Sequence, residues 1–352
     1  MKTDPNATAL VGGPQAVREQ FDRSAEPRSG SRHVPLQRPN QKPQLITISA
    51  ADLAARDFPP VAYVVPGYVA QGLTVLAGRP KTGKSWLAFG WSIAVASGTV
   101  ALGSIDVEAG DVLYLALEDN QRRLKKRLDQ MLPDQEKPAR LHVATQCPRL
   151  SSGGIEAITD WCRRVESPRL VVVDVFGKIR PERREKENLY DADYRAIEPL
   201  KAVADDLELA VLVVHHTNKR DEPYDPFDAV SGTTGLTGAA DTVLVLSRSS
   251  QGTTLYGRGR DIEEVETALS FDKITGMWTA LGRASDVQRS DERSKLLHAL
   301  KSSAAALGPR ELAAITGLKD ANVRRLLGKM VVSGDIEKEA YGCYRVAGAG
   351  HA

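Results

Sequence analysis

Apolar and polar residues follow two different periods along the middle of this chain. From Leu73 onward, short apolar runs are separated by longer amphipathic segments, which is typical of strands that alternate with helices. The apolar runs are nearly continuous, as in the strands of a parallel sheet that helices cover on both faces. We therefore predict an α/β domain with a mostly parallel sheet. The predicted strands are residues 73–77, 112–117, 141–144, 170–175, 210–215 and 242–247, followed by an antiparallel group, and the predicted helices are residues 85–97, 120–131, 155–165 and 190–207.

The amino-terminal part of the chain lacks this pattern. Residues 1–42 are rich in Pro, Arg, Gln, Ser and Gly, and their few apolar residues cannot bury enough surface to offset the entropy of ordering. We expect a disordered tail there, and a contact of its arginines with nucleic acid stays open. Order should begin near Leu45, with a short helix at residues 50–56 and a segment at residues 58–67 that Pro keeps extended.

The pattern changes again near the carboxyl end. Residues 291–300, 308–316 and 319–332 have helical periodicity, and residues 335–346 fit a two-stranded hairpin that turns through Gly342. Three helices and a hairpin resemble a winged helix-turn-helix, a fold that binds DNA, docks proteins or braces rings; these alternatives stay open. We predict a tail at residues 1–42, an α/β domain at 43–284, a linker at 284–290 and a small α+β domain at 290–348. In the DNA-binding alternative, the third helix would place Asn322, Arg324, Arg325 and Lys329 in a major groove.

Composition narrows the class of protein without identifying its chemistry. A chain of 352 residues suits one large α/β domain and a smaller one, and its net charge of +2 means that any surface for nucleic acid must be local. The three cysteines, Cys147, Cys162 and Cys343, have neither metal-ligand spacing nor an even disulfide framework. The chain has no apolar run of membrane-spanning length and no signal-peptide core. We therefore expect a cytoplasmic protein without a membrane partner.

The strongest motif lies between the first predicted strand and the helix that follows it. Residues 78–85 read Gly-Arg-Pro-Lys-Thr-Gly-Lys-Ser and fit G-x-x-x-x-G-K-[ST], in the strand–loop–helix context that a phosphate-binding loop requires. The two glycines allow successive N–H groups to point inward at a helix amino end, where an anion binds. Lys84 would reach the terminal phosphates, and the Ser85 hydroxyl would bind Mg²⁺. The predicted nucleotide contacts are Gly78, Arg79, Pro80, Lys81, Thr82, Gly83, Lys84, Ser85 and Trp86.

Two carboxylates at strand ends are candidates for the remaining chemistry. Asp174 closes the apolar run 170–174 and is expected to hold Mg²⁺ through water beside the phosphate loop. Because Val175 follows it instead of Glu, another carboxylate must activate the attacking water. Glu118, at the end of the preceding strand, is the favoured candidate, and Asp119 is the lesser one. The alternative is that both only favour the amino end of the next helix.

Two adjacent histidines end the strand at residues 210–215. Side chains of neighbouring strand residues point to opposite faces, so His215 and His216 cannot form a metal site together. A hydrogen-bonding sensor of the γ-phosphate fits better, with His216 favoured over His215. Ordinary polar residues at a strand end remain the alternative.

Taken together, these motifs resemble the RecA-type ATPase core, and most closely the RepA-like branch of hexameric helicases. The resemblance covers about residues 45–285. It implies a protein that binds ATP and Mg²⁺, assembles as a homo-oligomeric ring that is hexameric in that family, and hydrolyses ATP at subunit interfaces while acting on DNA. The segments that carry the resemblance are residues 65–67, 78–85, 117–119, 172–174, 215–217 and 231–241.

The resemblance also implies functions for basic residues outside the phosphate loop. Arg258 and Arg260 are similar to the paired basic finger that one subunit inserts into its neighbour's site, and which of the two would act stays open. Loops at residues 177–186 and around Lys219 and Arg220 would face a central channel and contact single-stranded DNA. Solvated arginines on a hairpin and solvated charged loops are the respective alternatives.

The function predicted from the sequence is thus a ring-forming DNA motor driven by hydrolysis of Mg-ATP. Two alternatives stay open: an ATP-switched DNA-binding regulator or loader without unwinding activity, and a RecA-like recombination ATPase that forms filaments.

Overall fold

A computed structural model describes residues 47–217, 225–230, 234–249, 252–303, 305–340 and 342–347 of the chain. The tail predicted at residues 1–42 lies outside the described residues, as do Lys219 and Arg220 of the second predicted DNA loop. The chain divides into two units, residues 1–59 and residues 60–352. In the first unit, helix α1 (Ala50–Ala54) begins after Ser49, whose hydroxyl accepts a hydrogen bond from the Asp52 amide at 3.0 Å.

The second unit contains a large central sheet, which has nine strands within the described residues. Small hairpins also occur in this unit: β1 (Tyr63–Val65) pairs with β2 (Val69–Ala70), and β4 (Val100–Ala101) pairs with β5 (Ile105–Asp106). Strand β1 begins inside the segment that the sequence predicts to be extended, which agrees with the restriction that its prolines place on the backbone.

Six strands of the central sheet are parallel and three are antiparallel, so the fold class predicted from the apolar runs is confirmed. The parallel strands are β3 (Gly72–Gly78), β6 (Asp111–Ala116), β7 (Leu141–Ala144), β8 (Pro168–Asp174), β9 (Ala210–His216) and β10 (Thr242–Ser249), and the antiparallel strands are β11 (Gly252–Gly259), β12 (Val265–Phe271) and β13 (Trp278–Arg283). Their order across the sheet is β13-β12-β11-β10-β3-β9-β8-β6-β7.

Helices cover both faces of the central sheet, which explains why its strands are apolar at nearly every position. Within the described residues, these helices are α2 (Lys84–Ser97), α3 (Gln121–Met131), α4 (Gly154–Arg164), α5 (Leu189–Asp206) and α6 (Thr234–Ala239). Val171 and Val173 pack with residues of α4, α5 and α6, whereas Val172 packs with residues of α2 and α3 on the other face. The alternation has a period of two, as the geometry of a strand requires.

Local capping explains where these helices begin and end. Asn120 and Asn188 accept hydrogen bonds from the amides of Arg123 and Asp191 at 3.0 and 2.8 Å, which sets the first residues of α3 and α5. Helix α2 ends at Ser97 and is capped by Gly98, which has a φ of +63°. The boundaries of α2, α3, α4 and α5 lie within one residue of those predicted, whereas α6 was not predicted.

The carboxyl-terminal part has a hydrophobic core of its own. Helices α7 (Ala284–Lys301), α8 (Pro309–Thr316) and α9 (Asp320–Val332) and the hairpin of β14 (Ile336–Ala340) and β15 (Cys343–Val346) follow one another as the sequence predicts. Leu296, Leu312, Leu327 and Ile336 join these elements in one buried cluster. Whether this part acts as a winged helix-turn-helix stays a prediction.

Residues 284–290, which the sequence predicts to be a linker, are helical. These residues form the first two turns of α7, which leads directly from β13 without a loop. The segment contains no Gly or Pro, and Asp286 lies in the first turn, where its charge favours the helix amino end. Among the helices that the structure describes, none combines the length and apolarity needed to cross a membrane.

Candidate nucleotide-binding site

The phosphate-loop motif joins the carboxyl end of β3 to the amino end of α2. Lys81 and Gly83 have φ values of +64° and +100°, so the chain turns sharply before the helix begins at Lys84. The Thr82 hydroxyl donates to the Arg79 carbonyl at 2.9 Å and tightens the turn. The amino end of α2, where the first N–H groups have no partner within the helix, therefore directly follows this loop, as anion binding requires.

Lys84 lies under the loop, and its side chain is almost fully buried. Its ammonium donates to the carbonyls of Gly78 and Arg79 at 2.8 and 2.9 Å. Burial lowers the pKa of Lys84 to about 8, although the nearby carboxylates of Asp174 and Glu118 act in the opposite direction. The Lys84 ammonium is therefore held in place, and the nearby carboxylates offset only part of the cost of burying its charge.

Asp174, at the end of β8, meets the first turn of α2. The Ser85 hydroxyl donates to Asp174 Oδ1 at 3.1 Å, so the two predicted Mg²⁺ ligands are adjacent. The pKa of Asp174 is raised, chiefly by burial, while hydrogen bonds from Tyr114 and Ser85 lower it. Mg²⁺ is usually bound by one or two protein oxygens together with phosphate and water, and these two oxygens fit that requirement. The peptide bond between Asp174 and Val175 is cis.

Tyr114 is a residue of this site that sequence reasoning missed. It lies on β6, next to β8, and its hydroxyl donates to Asp174 Oδ2 at 2.6 Å. Burial, followed by the charge of Asp174, raises the pKa of Tyr114 well above its ordinary value. A phenol within an otherwise aliphatic strand was the available signal.

Glu118 and His216 come together at the carboxyl edge of the sheet. His216 is the last residue of β9 and pairs with Gly78, so it lies beside the phosphate loop. Its Nε2 is 3.7 Å from Glu118 Oε2, and about half of the Glu118 side chain is exposed. Both side chains are thus accessible to a water or phosphate at this edge.

The two histidines point in opposite directions, as the strand period predicts. His215 faces the α5 side, where burial lowers its pKa to about 4, while the charge of Asp193 acts in the opposite direction. His215 is therefore neutral at neutral pH. The preference for His216 as the residue nearer the nucleotide agrees with this placement, and its role stays a prediction.

Asp119, the lesser candidate for the catalytic carboxylate, is held by arginines of α3. It forms ion pairs with Arg123 and with Arg127, the latter at 3.0 Å. Arg127 also stacks over the ring of Trp86 at 5.0 Å from its centroid. Asp119 therefore anchors an arginine beside the loop, and Arg127 is a second residue that the sequence did not single out.

A cavity of about 740 Å³ lies beside the phosphate loop. Residues Lys81 to Trp86 of the motif, His216 and Arg127 line one side, and Arg248, Phe271 and Trp278 of the antiparallel part line the other. Trp278 Nε1 donates to the Gly83 carbonyl at 3.3 Å. Trp86 lies edge-on to Phe271 at 5.9 Å, so it supports the wall of the cavity as well as lining it. Arg79 and Pro80 are exposed and do not line this cavity.

Arg258 and Arg260 lie far along the sheet from the loop of their own chain. Arg258 lies at the carboxyl end of β11 and Arg260 directly follows it. This end of β11 pairs with the amino end of β10, whereas the loop follows the carboxyl end of the parallel strand β3. Neither arginine lines the cavity. Arg258 pairs with Asp225 and Glu264 at 3.3 and 2.7 Å, and Arg260 pairs with Asp241 at 3.3 Å.

The arginine Arg258 also stacks over a ring. Its guanidinium lies 4.4 Å from the centroid of Phe227 in the short helix Pro226–Ala229. More than half of each of the two finger candidates is exposed, and Arg260 is the more exposed of them.

The elements predicted to contact DNA carry arginines, some of which form ion pairs or hydrogen bonds within the chain. In the loop after β8, Arg180 forms an ion pair with the buried Asp193. On α9, Arg324 pairs with Asp320 at 2.8 Å, and Arg325 donates to Asn322 at 2.7 Å. The ion pairs of Arg180 and Arg324 offset part of the positive charge of these two elements.

Comparisons with known proteins agree with this geometry. A family model described as "AAA domain" matches residues 39–222, more than half of the chain. A solved structure of an ATPase domain has a TM-score of 0.51 at 14% identity, covering 66% of this chain and 95% of that one. A second, "The Structure Of A DnaB-Like Replicative Helicase And Its Interactions With Primase", has a TM-score of 0.50 at 14% identity, covering 65% of this chain and 66% of that one. The shared fold is that of a RecA-like P-loop ATPase.

Proposed function

Because this chain belongs to the AAA domain family, we propose that it is an ATP-hydrolysing DNA motor whose subunits form a ring, with six as the expected number. The RecA-like fold and the phosphate loop support ATP as the substrate. The proposal goes further than the family, since it names DNA as the partner and places each site at a contact between subunits.

The phosphate end of ATP would bind at the amino end of α2. Lys84 supplies a positive charge there, and the N–H groups of the loop surround the anion. Ser85 and Asp174 are the residues that would hold Mg²⁺, since their oxygens are 3.1 Å apart. When bound, the ion would neutralise charge on the β- and γ-phosphate oxygens.

Glu118 is the residue that we assign to the attacking water. Its carboxylate is accessible at the edge of the sheet and would orient a water in line with the γ-phosphate and accept its proton. His216, at 3.7 Å, would hold Glu118 and form a hydrogen bond with the phosphate. The alternative carboxylate, Asp119, is already bound to two arginines and is less suited to this role.

The positions of Arg258 and Arg260 are the observation that supports assembly into a ring. Both are exposed, and both lie at the end of the strands away from their own cavity. A second copy of the chain could bring them to the phosphates of ATP bound by the first copy. There a permanently charged guanidinium stabilises the transition state and raises the rate of hydrolysis by about 10³–10⁵-fold. A site completed by a neighbour requires an assembly.

Mixing two inactive variants tests this proposal. Lys84→Ala lacks the phosphate cation, and the double variant Arg258→Ala/Arg260→Ala lacks both finger candidates. In a mixed assembly, some interfaces combine an intact loop with intact arginines, so ATP turnover should return. Turnover that stays absent, although light scattering shows that the two variants assemble together, would refute completion in trans.

Single-stranded DNA in the channel is the proposed partner, with duplex DNA at residues 319–332 as a further contact. We expect single-stranded DNA to stimulate ATP turnover in a salt-dependent manner, because the contacts would be to phosphates. A strand-displacement assay with a forked duplex then tests the motor.

The second candidate function is that of an ATP-switched DNA-binding regulator or loader. The separate hydrophobic core of the carboxyl-terminal helices favours it. It would bind a specific duplex through α9 without unwinding. ATP-dependent strand displacement excludes this candidate, and specific duplex binding without displacement excludes the motor.

A further inference from the structure

Tyr114 is buried between the central sheet and α2, in the middle of the candidate site. In register, Tyr114 lies opposite Val172 and Ala116 lies opposite Asp174, so Tyr114 is two residues before Asp174 along the neighbouring strand. The side chain leans forward on the shared face, and its hydroxyl reaches Asp174 Oδ2 at 2.6 Å. The same hydroxyl is 3.3 Å from the Ser85 carbonyl.

The two oxygens of Asp174 thus have different partners. Oδ1 accepts from the Ser85 hydroxyl at 3.1 Å, and Oδ2 accepts from Tyr114. These contacts come from α2 and from β6, two elements that pack on β8 from different directions. A carboxylate held at both oxygens has one orientation, with Oδ1 beside Ser85.

The ring of Tyr114 is held as firmly as its hydroxyl. It is fully buried, and Phe89 of α2 packs against it edge-on, with 5.0 Å between the ring centroids. A phenol in a close-packed core has little rotational freedom, so the position of its hydroxyl is determined by the fold. Sheet and helix therefore determine where Asp174 points.

We infer that Tyr114 is a positioning residue for the divalent cation: it holds Oδ2 of Asp174 so that Oδ1, together with the Ser85 hydroxyl, faces the metal and the phosphates. This inference rests on the proposed function, in which Ser85 and Asp174 bind Mg²⁺. Groups that orient a metal ligand in this way commonly change metal affinity by about 10–100-fold when they are lost.

A structural role alone makes a different prediction. If the hydroxyl of Tyr114 only satisfied a buried polar group, its loss would lower stability and leave metal binding intact. Tyr68 provides a matched control, because it is another buried tyrosine whose hydroxyl makes a hydrogen bond, at 2.8 Å to Thr267 on β12. Tyr68→Phe and Tyr114→Phe each remove one buried hydroxyl from the same domain.

The test measures Mn²⁺ binding to the full chain in the presence of ADP by electron paramagnetic resonance, and ADP binding without metal by fluorescence. For Tyr114→Phe we expect Mn²⁺ affinity to fall by about tenfold or more, and metal-free ADP affinity to stay within about twofold of the wild-type value. Tyr68→Phe should leave both affinities unchanged. Urea midpoints of the two variants show whether their losses of stability are similar.

The variant Asp174→Asn distinguishes a failure of the proposed metal site from a failure of the proposed role of Tyr114. Wild-type Mn²⁺ affinity in Tyr114→Phe, together with a large loss in Asp174→Asn, would overturn the role of Tyr114 and leave the proposed site intact. Unchanged Mn²⁺ affinity in Asp174→Asn would overturn the metal site and the role of Tyr114 with it. An equal loss of Mn²⁺ affinity in Tyr68→Phe and Tyr114→Phe would also overturn the inference, because a general loosening of the core would then explain it.

Discussion

Replacement of Gly83 by Ala tests how closely the phosphate loop is packed against the antiparallel part of the sheet. Gly83 has a φ of +100°, which side-chain-bearing residues rarely adopt. A Cβ at this position would lie 2.6 Å from Cζ2 of Trp278, which is itself buried. Either the backbone or the indole must therefore move.

Both contributions to the cost can be estimated. The strained backbone costs about 1–3 kcal/mol, and overpacking against the indole costs about 1–3 kcal/mol more. The sum of about 2–6 kcal/mol is a large part of the roughly 5–15 kcal/mol that stabilises a typical domain. If the loop instead shifts to avoid the indole, its N–H groups lose their alignment with the phosphates, and nucleotide affinity falls by about tenfold or more, the equivalent of one lost charge-assisted hydrogen bond.

Urea unfolding followed by tryptophan fluorescence measures the first contribution, because all four tryptophans of the chain lie before residue 284. Fluorescent-nucleotide titration measures the second. Gly328→Ala is the control for the substitution itself: it lies in α9 with open space around the new Cβ, and should leave the nucleotide affinity and the unfolding reported by the tryptophans unchanged.

The double variant Gly83→Ala/Trp278→Phe separates strain from overpacking. The smaller ring should recover about 1–3 kcal/mol of the cost of Gly83→Ala, and the part due to φ should remain. If Gly83→Ala kept both the wild-type free energy of unfolding and the wild-type nucleotide affinity, the proposed packing of loop and indole would be refuted.

Three further predictions concern titration and catalysis. Because the pKa of Lys84 is about 8 and the charged form binds phosphate, ATP affinity measured by fluorescence should fall about tenfold between about pH 7 and about pH 9; a flat profile would contradict this. His215 has a pKa of about 4, below the ordinary value of 6.5 that it has in the unfolded chain, so the free energy of unfolding should fall as the pH drops from 6.5 to 4. In His215→Gln, this fall should be smaller by about 3 kcal/mol in urea titrations. Glu118→Gln should lower ATP turnover by about 10²–10⁴-fold and leave nucleotide affinity nearly unchanged, whereas Asp119→Asn should retain more turnover; the reverse ranking would reassign the catalytic carboxylate.

The elements of this fold and the chemistry of the loop follow from local patterns in the sequence. Strand and helix boundaries could be predicted closely because apolar periodicity and capping residues such as Asn120 act over a few neighbours. The sequence did not predict that residues 284–290, the predicted linker, are helical. A polar segment without Gly or Pro can continue a helix, and the packing of α7 against β12 and β13 determines whether it does.

By itself, the sequence determined that the chain forms an α/β fold, that a phosphate loop lies between β3 and α2, and that acidic and histidine side chains end three of its strands. The tertiary structure decided which of them meet. The order β3-β9-β8-β6 places His216 beside the loop and brings Tyr114 to Asp174. Trp278 packs on Gly83 across a sequence separation of 195 residues, and Arg258 and Arg260 lie away from the cavity of their own chain. Periodicity reports the environment of each residue along its own strand, but contacts between strands depend on how the connecting segments cross the sheet, and no local pattern contains that information.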